Sequence, residues 1–341
     1  VIADGLVADI GAHLARAAAL GTRDIEAFDC KGACLAPGLV DMRTQLREPG
    51  EEHKETMASA SDAAAAGGIT SMVALPDTKP VIDDAALVES IARRARETSR
   101  VKIYTYAAVT RGLGGREITE MGLLAEAGAV AFTDGTQAVA DAQVMRRALS
   151  YARPFGKAVV QHPEDPSLAQ GGCVTEGEIA TRLGLPAISP MAEIIMIERD
   201  LRLVEITQGR LHIAHVSTAA GVEAIRRAKA RGLSVTADTA PPYFALNEIA
   251  IGDYRTFAKV SPPLRGEVDR QAVVAGIKDG TIDAIASDHA PHDQDSKRLP
   301  FAQAASGMIG LETLLPVSLD LVHNGQLSLA ELLRRLTYRP A

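Results

Sequence analysis

The feature that most constrains the fold is a regular alternation, between Leu39 and Ala286, of short apolar runs with longer runs at helical spacing. The strand-like runs are Leu39–Met42, Thr70–Leu75, Val101–Ala108, Ala129–Phe132, Ala158–Gln161, Leu211–Ala214, Leu233–Thr236 and Ile282–Ala286. Helical runs separate most of them: Glu55–Ala66, Ala85–Ser99, Ala138–Tyr151, Ala192–Thr207, Ala219–Ala230 and Asp269–Lys278. This order predicts an α/β protein with a parallel (β/α)8 TIM-type barrel, and a doubly wound sheet is the alternative.

Polar side chains follow most of the predicted strands at the point where the strand ends. They are Arg43, Gln45 and Arg47 after the first strand, Asp77, Asp134, His162, His215 and Asp238 after later strands, and Asp288, His289 and His292 after the eighth. The active groups of a barrel lie at the C-terminal ends of its strands. We therefore expect these side chains to meet at one mouth of the barrel.

Composition excludes several classes of partner. The formal net charge of −7 argues against a protein that follows nucleic-acid phosphates. No apolar run reaches the roughly 18 residues that a membrane span needs, and no signal peptide is recognisable. Cys30, Cys34 and Cys173 form no metal-binding pair. We therefore expect free thiols and a cytoplasmic location.

Two stretches carry a resemblance to a known family. One contains Leu46-Arg-Glu-Pro-Gly50 after the first strand, and the other is Asp288-His-Ala-Pro-His292 after the eighth. With the sequence between them they resemble the dihydroorotase branch of the amidohydrolase superfamily. This resemblance implies a TIM-type barrel and zinc-dependent hydrolysis of a cyclic amide, the interconversion of dihydroorotate and carbamoyl aspartate in de novo pyrimidine biosynthesis.

The resemblance also implies a domain division. Residues 1–35 would form the N-terminal part of a small accessory β-domain, and residues 36–341 the barrel. The chain begins at Val1 and stops at Ala341 just after a helical pattern. We therefore expect both ends to be trimmed and the small domain to be incomplete.

Five residues match catalytic or substrate-side positions in the resemblance. It implies that Asp288 is the general base and later the general acid. Arg47 and His292 would contact the substrate carboxylate. Asp77 and Ser261 stand where the family has asparagines that face the substrate. An ionised aspartate cannot donate a hydrogen bond and would repel a carboxylate. Asp77 is therefore unsuited to the carboxylate of the family substrate.

The metal positions depart further from the family pattern. Arg43 and Gln45 replace both first-strand histidines, and a guanidinium cannot ligate a metal. His162 and His215 match ligands of the second, more buried metal position. Asp134 matches one of two family aspartates, and which one is open. One interpretation is that these three residues form a single site for at most one zinc per chain. The alternative is that no metal binds, since histidines of this kind are often only buried polar groups.

Three functions remain open from these departures. The first is a pseudoenzyme, a non-catalytic or impaired dihydroorotase homologue that acts as a scaffold for aspartate carbamoyltransferase. The second is an active dihydroorotase with one zinc, and the third is a cyclic amidohydrolase for another small cyclic amide. We favour the first, as a homo-oligomer, because several substitutions at one site are hard to compensate. If Arg43 points into the mouth it takes the place of the lost metal; if it points away, a one-metal enzyme has room.

Overall fold

The computed structural model describes residues 1–3, 6–12, 14 and 28–341. They belong to two compact units, Val1–Pro37 and Gly38–Ala341. In the first unit, Ile2–Ala3 (β1) pairs with Leu6–Val7 (β2) in an antiparallel ladder. The rest of the predicted small β-domain falls largely outside the described residues, so its assignment stays a prediction.

The second unit contains the barrel strands in the predicted order. Its strands are β3 (Leu39–Thr44), β4 (Ile69–Ala74), β5 (Lys102–Thr105), β6 (Phe132–Thr133), β7 (Ala158–Gln161), β8 (Val174–Thr175), β9 (Ala187–Ile188), β10 (Arg210–Ile213), β11 (Val235–Thr239) and β12 (Ala284–Ile285). β8 and β9 pair only with each other, and the other strands build the barrel wall. The eight predicted strands are all present, with ends shifted by a few residues.

The α-helices lie between and after these strands. They are α1 (Met57–Ala66), α2 (Ala85–Thr98), α3 (Met121–Glu126), α4 (Ala142–Ala152), α5 (Pro166–Ala169), α6 (Glu178–Leu183), α7 (Met191–Thr207), α8 (Ala219–Ala230), α9 (Pro241–Ala245), α10 (Glu267–Asp279), α11 (Gln294–Lys297), α12 (Leu314–His323) and α13 (Leu329–Leu336). Among the described residues, no helix combines the length and apolar character that crossing a membrane requires.

Helix starts follow from the residues that precede them. Asp84, Asp141 and Thr218 each accept a hydrogen bond from a free backbone N–H of the first turn of α2, α4 and α8. Thr56 and Ser328 form capping boxes at α1 and α13. Because these side chains satisfy orphan donors, each of these five helices begins at a defined residue.

The ladders close into a ring. β3, β4 and β5 form one parallel sheet, and β6, β7, β10, β11 and β12 form another. Parallel bridges join the two sheets at Ala107–Phe132 and at Thr44–His289. Across the second junction, the Gln45 N–H donates to the His289 carbonyl at 2.9 Å. The predicted barrel is therefore confirmed, and the doubly wound alternative is wrong, since such a sheet would leave two free edges.

A buried aspartate fastens the first strand to the last. Asp41 on β3 is fully buried; its carboxylate accepts from the Ser287 N–H at 2.9 Å and the Thr44 hydroxyl at 3.0 Å. The Ser287 hydroxyl also donates to it. Burial raises the pKa of Asp41, and these donors oppose the rise. Sequence analysis did not select Asp41, because a lone aspartate inside a strand has no recognisable motif.

We expect Asp41→Ala to lower the free energy of unfolding by about 3 kcal/mol, because it leaves buried donors of Ser287 and Thr44 without an acceptor. Urea unfolding measures this. The matched control is Asp62→Ala, which removes an exposed partner of Arg100 and should cost at most about 1 kcal/mol. Equal unfolding midpoints for the two variants would contradict a closing role for Asp41.

Candidate functional site

Arg43 points into the barrel mouth. It lies on β3 at a register irregularity of the β3–β4 ladder and is only 2% exposed. Its Nε donates to Asp288 Oδ1 at 2.8 Å, and its Nη2 donates to the Gly135 carbonyl at 3.1 Å. Burial works to lower the pKa of Arg43, but Asp288 and Asp238 outweigh it and the pKa is raised. A permanent cation therefore occupies the mouth.

Two histidines extend this ion pair into a chain of hydrogen bonds. His215 Nδ1 lies 3.1 Å from Asp288 Oδ2, and His215 Nε2 lies 2.6 Å from His162 Nδ1. A carboxylate can only accept, so His215 Nδ1 carries a proton. His215 Nε2 and His162 Nδ1 share the second hydrogen bond, in which the donor is set by the tautomers of the two rings. Burial, followed by His215 and Arg43, lowers the pKa of His162 well below its usual range, which agrees with a neutral ring.

The backbone under this chain is strained. His215, Asp288 and Arg47 have positive φ angles of 36°, 51° and 60°, in the left-handed region that favours glycine. Such a strained backbone conformation persists where surrounding contacts hold it in place. At His215 one such contact is its backbone N–H, which donates to Asp238 Oδ1 at 2.7 Å. The side chains at the mouth are therefore held by the fold, not by local preference.

The residues present do not fit a zinc site. Two nitrogen ligands of a tetrahedral zinc ion at about 2.0–2.1 Å lie about 3.3 Å apart, whereas the facing nitrogens of His162 and His215 are hydrogen-bonded at 2.6 Å. Both oxygens of Asp288 are engaged by Arg43 and His215. In the part of the chain that the structure describes, no three His, Cys, Asp or Glu side chains form a group that could hold a metal ion.

Asp134, which the sequence placed in a possible metal site with the two histidines, makes its contacts elsewhere. Its Oδ1 accepts from the backbone N–H groups of Val109 and Thr110 at 2.9 Å each, and its Oδ2 accepts from the Thr110 hydroxyl at 2.5 Å. Burial raises its pKa, and these donors oppose the rise. Asp134 thus fixes the loop after β5, and the neighbouring Gly135 supplies the contact to Arg43 through its carbonyl.

Gln45 joins Arg47 to Asp77 in a second hydrogen-bonded chain. Arg47 Nη2 donates to Gln45 Oε1 at 2.5 Å, and Gln45 Nε2 donates to Asp77 Oδ2 at 2.6 Å. Arg47 also donates through Nε to the Pro291 carbonyl at 3.1 Å and through Nη1 to Glu51 at 3.5 Å. The three nitrogens of the Arg47 guanidinium therefore have protein partners. The guanidinium that would bind a substrate carboxylate is already in use.

His292 and Ser261 line a cavity of about 340 Å3 together with Arg43, Gln45, Arg47, Asp77 and Asp288. His292 Nε2 donates to the Ser306 carbonyl at 2.8 Å, and its Nδ1 has no partner among the described residues. Burial, followed by the nearby Arg47, lowers the pKa of His292 to about 4, so its ring is neutral at pH 7. The structure thus brings seven of the predicted side chains to this cavity, and Asp134 is not among them.

Tyr243, which follows β11 and stands where the family resemblance has a histidine, also lies at the mouth. It is buried, its hydroxyl donates to the Pro262 carbonyl at 3.0 Å, and its ring stands edge-on to His215 with centroids 6.2 Å apart. Its aromatic ring covers His215 on a side where an imidazole could have offered a nitrogen.

The chemistry that this arrangement can perform is limited. His215 and Arg43 outweigh the effect of burial and hold the pKa of Asp288 well below its usual range. A carboxylate with such a pKa is a weak base near pH 7, and both of its oxygens already accept hydrogen bonds. The carboxylate at the centre of the mouth is therefore held by an ion pair and a hydrogen bond within the protein.

Comparison with known proteins identifies the family. A family model described as Dihydro-orotase-like matches residues 32–220. The dihydroorotase of Syntrophus aciditrophicus is 48% identical over 338 residues, which cover 98% of this chain and 79% of that protein. That of Syntrophotalea carbinolica is 45% identical over 341 residues, 100% of this chain and 79% of that protein.

A solved structure is similar over nearly the same extent. The L-hydantoinase (dihydropyrimidinase) from Arthrobacter aurescens superposes with a TM-score of 0.83 at 25% identity, over 94% of this chain and 74% of that one. The barrel seen here is thus the barrel of cyclic amidohydrolases. With the matches in sequence, this places the chain in the dihydroorotase family, within the cyclic amidohydrolase branch.

Proposed function

We propose that this chain is a non-catalytic dihydroorotase homologue of de novo pyrimidine biosynthesis, and that it serves as a scaffold for aspartate carbamoyltransferase. The observation that carries the proposal is the Arg43 guanidinium, which is buried in the mouth and paired with Asp288 at 2.8 Å. It places a protein cation where the family resemblance requires metal-ligating histidines.

The loss of activity has three separate causes in the contacts. A metal-dependent hydrolase generates hydroxide and polarises the scissile carbonyl with its ion. Arg43 supplies charge but can neither ligate water nor lower its pKa in that way. Asp288 is held as a weak base by its partners. Arg47 is held by Gln45 and Glu51, so a substrate carboxylate would have to compete with these partners for the guanidinium.

The scaffold role is supported by the way in which other side chains compensate for the altered metal site. Removing a metal from a buried site leaves carboxylates without a counter-charge, which is strongly destabilising. Here Arg43 neutralises Asp288, and Gln45 links Arg47 with Asp77. Pairing of this kind lets the barrel stay folded without a metal. A folded barrel without its chemistry is suited to a binding role, and the family resemblance points to aspartate carbamoyltransferase.

One observation favours a second candidate, an active dihydroorotase with a single zinc. His162, His215 and Asp288 remain in contact with one another. For this candidate, Arg43 would have to leave Asp288, and the two rings would have to separate. The third candidate, a cyclic amidohydrolase for a less anionic substrate, is favoured by Asp77, which stands where the family has an amide donor.

We expect the purified protein, with added zinc, to show no dihydroorotase turnover above the uncatalysed rate in either direction. The reason is that the base, the metal position and the carboxylate contact are all altered. The assay follows carbamoyl aspartate formation and ring closure with a catalytic relative as the positive control. Robust turnover at a rate typical of enzymes, about 1 s⁻¹ or more, would overturn the non-catalytic assignment.

We expect the double variant Arg43→His with Gln45→His to retain about one zinc per chain after dialysis, because it restores two imidazole ligands beside His162 and His215. The unaltered protein should retain far less. Elemental analysis measures both. Adding His215→Ala to the double variant should remove the gained zinc. Stoichiometric zinc in the unaltered protein would instead favour the one-metal enzyme.

We expect the protein to form a stoichiometric complex with the aspartate carbamoyltransferase of its own organism, measured by light scattering after size-exclusion chromatography. The double variant at Arg43 and Gln45 is the control. It should bind equally well, since the proposed contact uses the outer surface and not the mouth. If the two proteins elute separately at micromolar concentrations, the scaffold role for this partner is wrong.

A further inference from the structure

A segment beside the barrel mouth is held by its backbone carbonyls, and two buried lysines supply the donors. We propose that Lys297 is a positioning residue: it fixes the Ser306 carbonyl against His292 and so decides which ring nitrogen of His292 carries the proton. We name residues 302–307 the strap; Ser306 and Gly307 in it line the cavity of the mouth. The inference goes beyond the proposed function, because it concerns the form of one histidine and not turnover.

Lys297 holds the strap on both sides of Ser306. Its Nζ donates to the Ala305 carbonyl at 2.9 Å and to the Gly307 carbonyl at 2.8 Å. The strap lies between α11 and α12, outside the helices and strands, so no ladder of backbone hydrogen bonds holds its carbonyls. Because one ammonium group fixes the carbonyls before and after it, the Ser306 carbonyl keeps one direction.

Lys259 holds the start of the strap and also its end. Its Nζ donates to the Ala302 carbonyl at 3.0 Å and to the Ala304 carbonyl at 2.7 Å. Its own backbone carbonyl accepts from the Gly307 N–H at 2.8 Å. Four strap carbonyls therefore accept hydrogen bonds from one of the two lysines.

The two ammonium groups have the strap carbonyls as their main partners. Lys259 and Lys297 are 7% and 5% exposed, and in the described part of the chain neither forms an ion pair with a carboxylate. An aromatic ring centroid lies 5.8 Å from each Nζ. Burial, followed by Lys259, lowers the pKa of Lys297 to about 8, so Lys297 is charged at pH 7. Since hydrogen bonds from a charged donor are the stronger ones, loss of Lys297 should release the strap.

Two groups compete for the same nitrogen of His292. The Ser306 carbonyl lies 2.8 Å from His292 Nε2, and Arg47 Nη2 lies 3.4 Å from it. The carbonyl requires a proton on Nε2, whereas an Arg47 N–H requires a lone pair there. At these distances the carbonyl wins, so the neutral ring carries its proton on Nε2 and a lone pair on Nδ1. Without the carbonyl, Arg47 would donate to Nε2 and the proton would move to Nδ1.

The strap can approach His292 this closely because residue 307 is glycine. Gly307 has a φ angle of 130°, in a region that side chains disfavour. A Cβ at this position would lie 2.6 Å from the Ala290 Cβ and 3.1 Å from His292 Nε2. The strap is therefore fitted to the histidine on one side and to Lys297 on the other.

The experiment is nitrogen NMR of the full chain with 15N-labelled histidine at about pH 6.5, where Lys297 is charged and His292, whose pKa is about 4, is neutral. The His292→Gln variant identifies its signals. We expect a protonated Nε2 and an unprotonated Nδ1 in the unaltered protein. In Lys297→Met the ratio of the two tautomers should invert, because Arg47 then takes the Nε2 lone pair. Lys102→Met, the same change at an exposed lysine, should leave the ratio unchanged.

Hydrogen exchange followed by mass spectrometry measures the strap itself. We expect peptides that cover residues 302–307 to exchange at least about tenfold faster in Lys297→Met, because two hydrogen bonds from a charged donor are lost. Lys259→Met should also speed up this exchange. It should change the tautomer ratio less, since its side chain holds carbonyls farther from Ser306. Peptides that cover β10 should exchange as in the unaltered protein in both variants.

A proton on Nδ1 in the unaltered protein would overturn the inference without any variant. So would a Lys297→Met variant that is folded by circular dichroism and keeps the proton on Nε2, even if its strap exchanges faster, since Lys297 would then be merely structural. If Lys297→Met does not fold, Lys259→Met decides: a raised fraction of the Nδ1–H form supports the inference, and an unchanged ratio overturns it. Turnover is measured separately, so each of these outcomes leaves the non-catalytic role standing.

Discussion

A buried guanidinium must have an anion beside it, and much of the barrel mouth follows from how Arg43 meets that requirement. Its partner is Asp288, at 2.8 Å on the opposite side of the ring closure between the first and last strands. Asp288 must in turn satisfy its second oxygen, which it does through His215, and His215 orders His162. One cation therefore orients three neighbours, and the strained backbone at His215 and Asp288 is held within this unit.

The fold was predictable because each barrel strand has its own apolar run, so the local sequence was sufficient to place each strand. The residues that close the ring were not predictable, because the bridge between Thr44 and His289 joins residues at opposite ends of the barrel sequence. Asp41, which fastens that junction, looks like an isolated polar residue until Ser287 is placed beside it. Short elements such as β6 were misplaced at their ends, since barrel stagger and not residue type decides where pairing stops.

The site was predictable to the level of which residues gather, because strand ends of a parallel barrel meet at one mouth. The roles of these residues were harder to predict from the sequence. Asp134 precedes a glycine in a family-like motif, and only its contacts with Val109 and Thr110 assign it to a loop. The direction of Arg43 and the bridging position of Gln45 depend on distances across the mouth, which no local pattern contains. Residue type could say that Arg43 does not bind a metal, but not that it binds Asp288.

Retention of His162, His215 and Asp288 is compatible with lost catalysis when the contacts are considered together. Once Arg43 pairs with Asp288, removal of Asp288 would leave a buried cation unpaired, and removal of His215 would leave a carboxylate oxygen without its donor. Each residue is then required by its neighbour for folding, whatever its earlier chemistry. A set of catalytic residues can in this way persist for structural reasons. Its presence in a sequence is therefore weaker evidence for activity than the two residues that replace the first-strand histidines are against it.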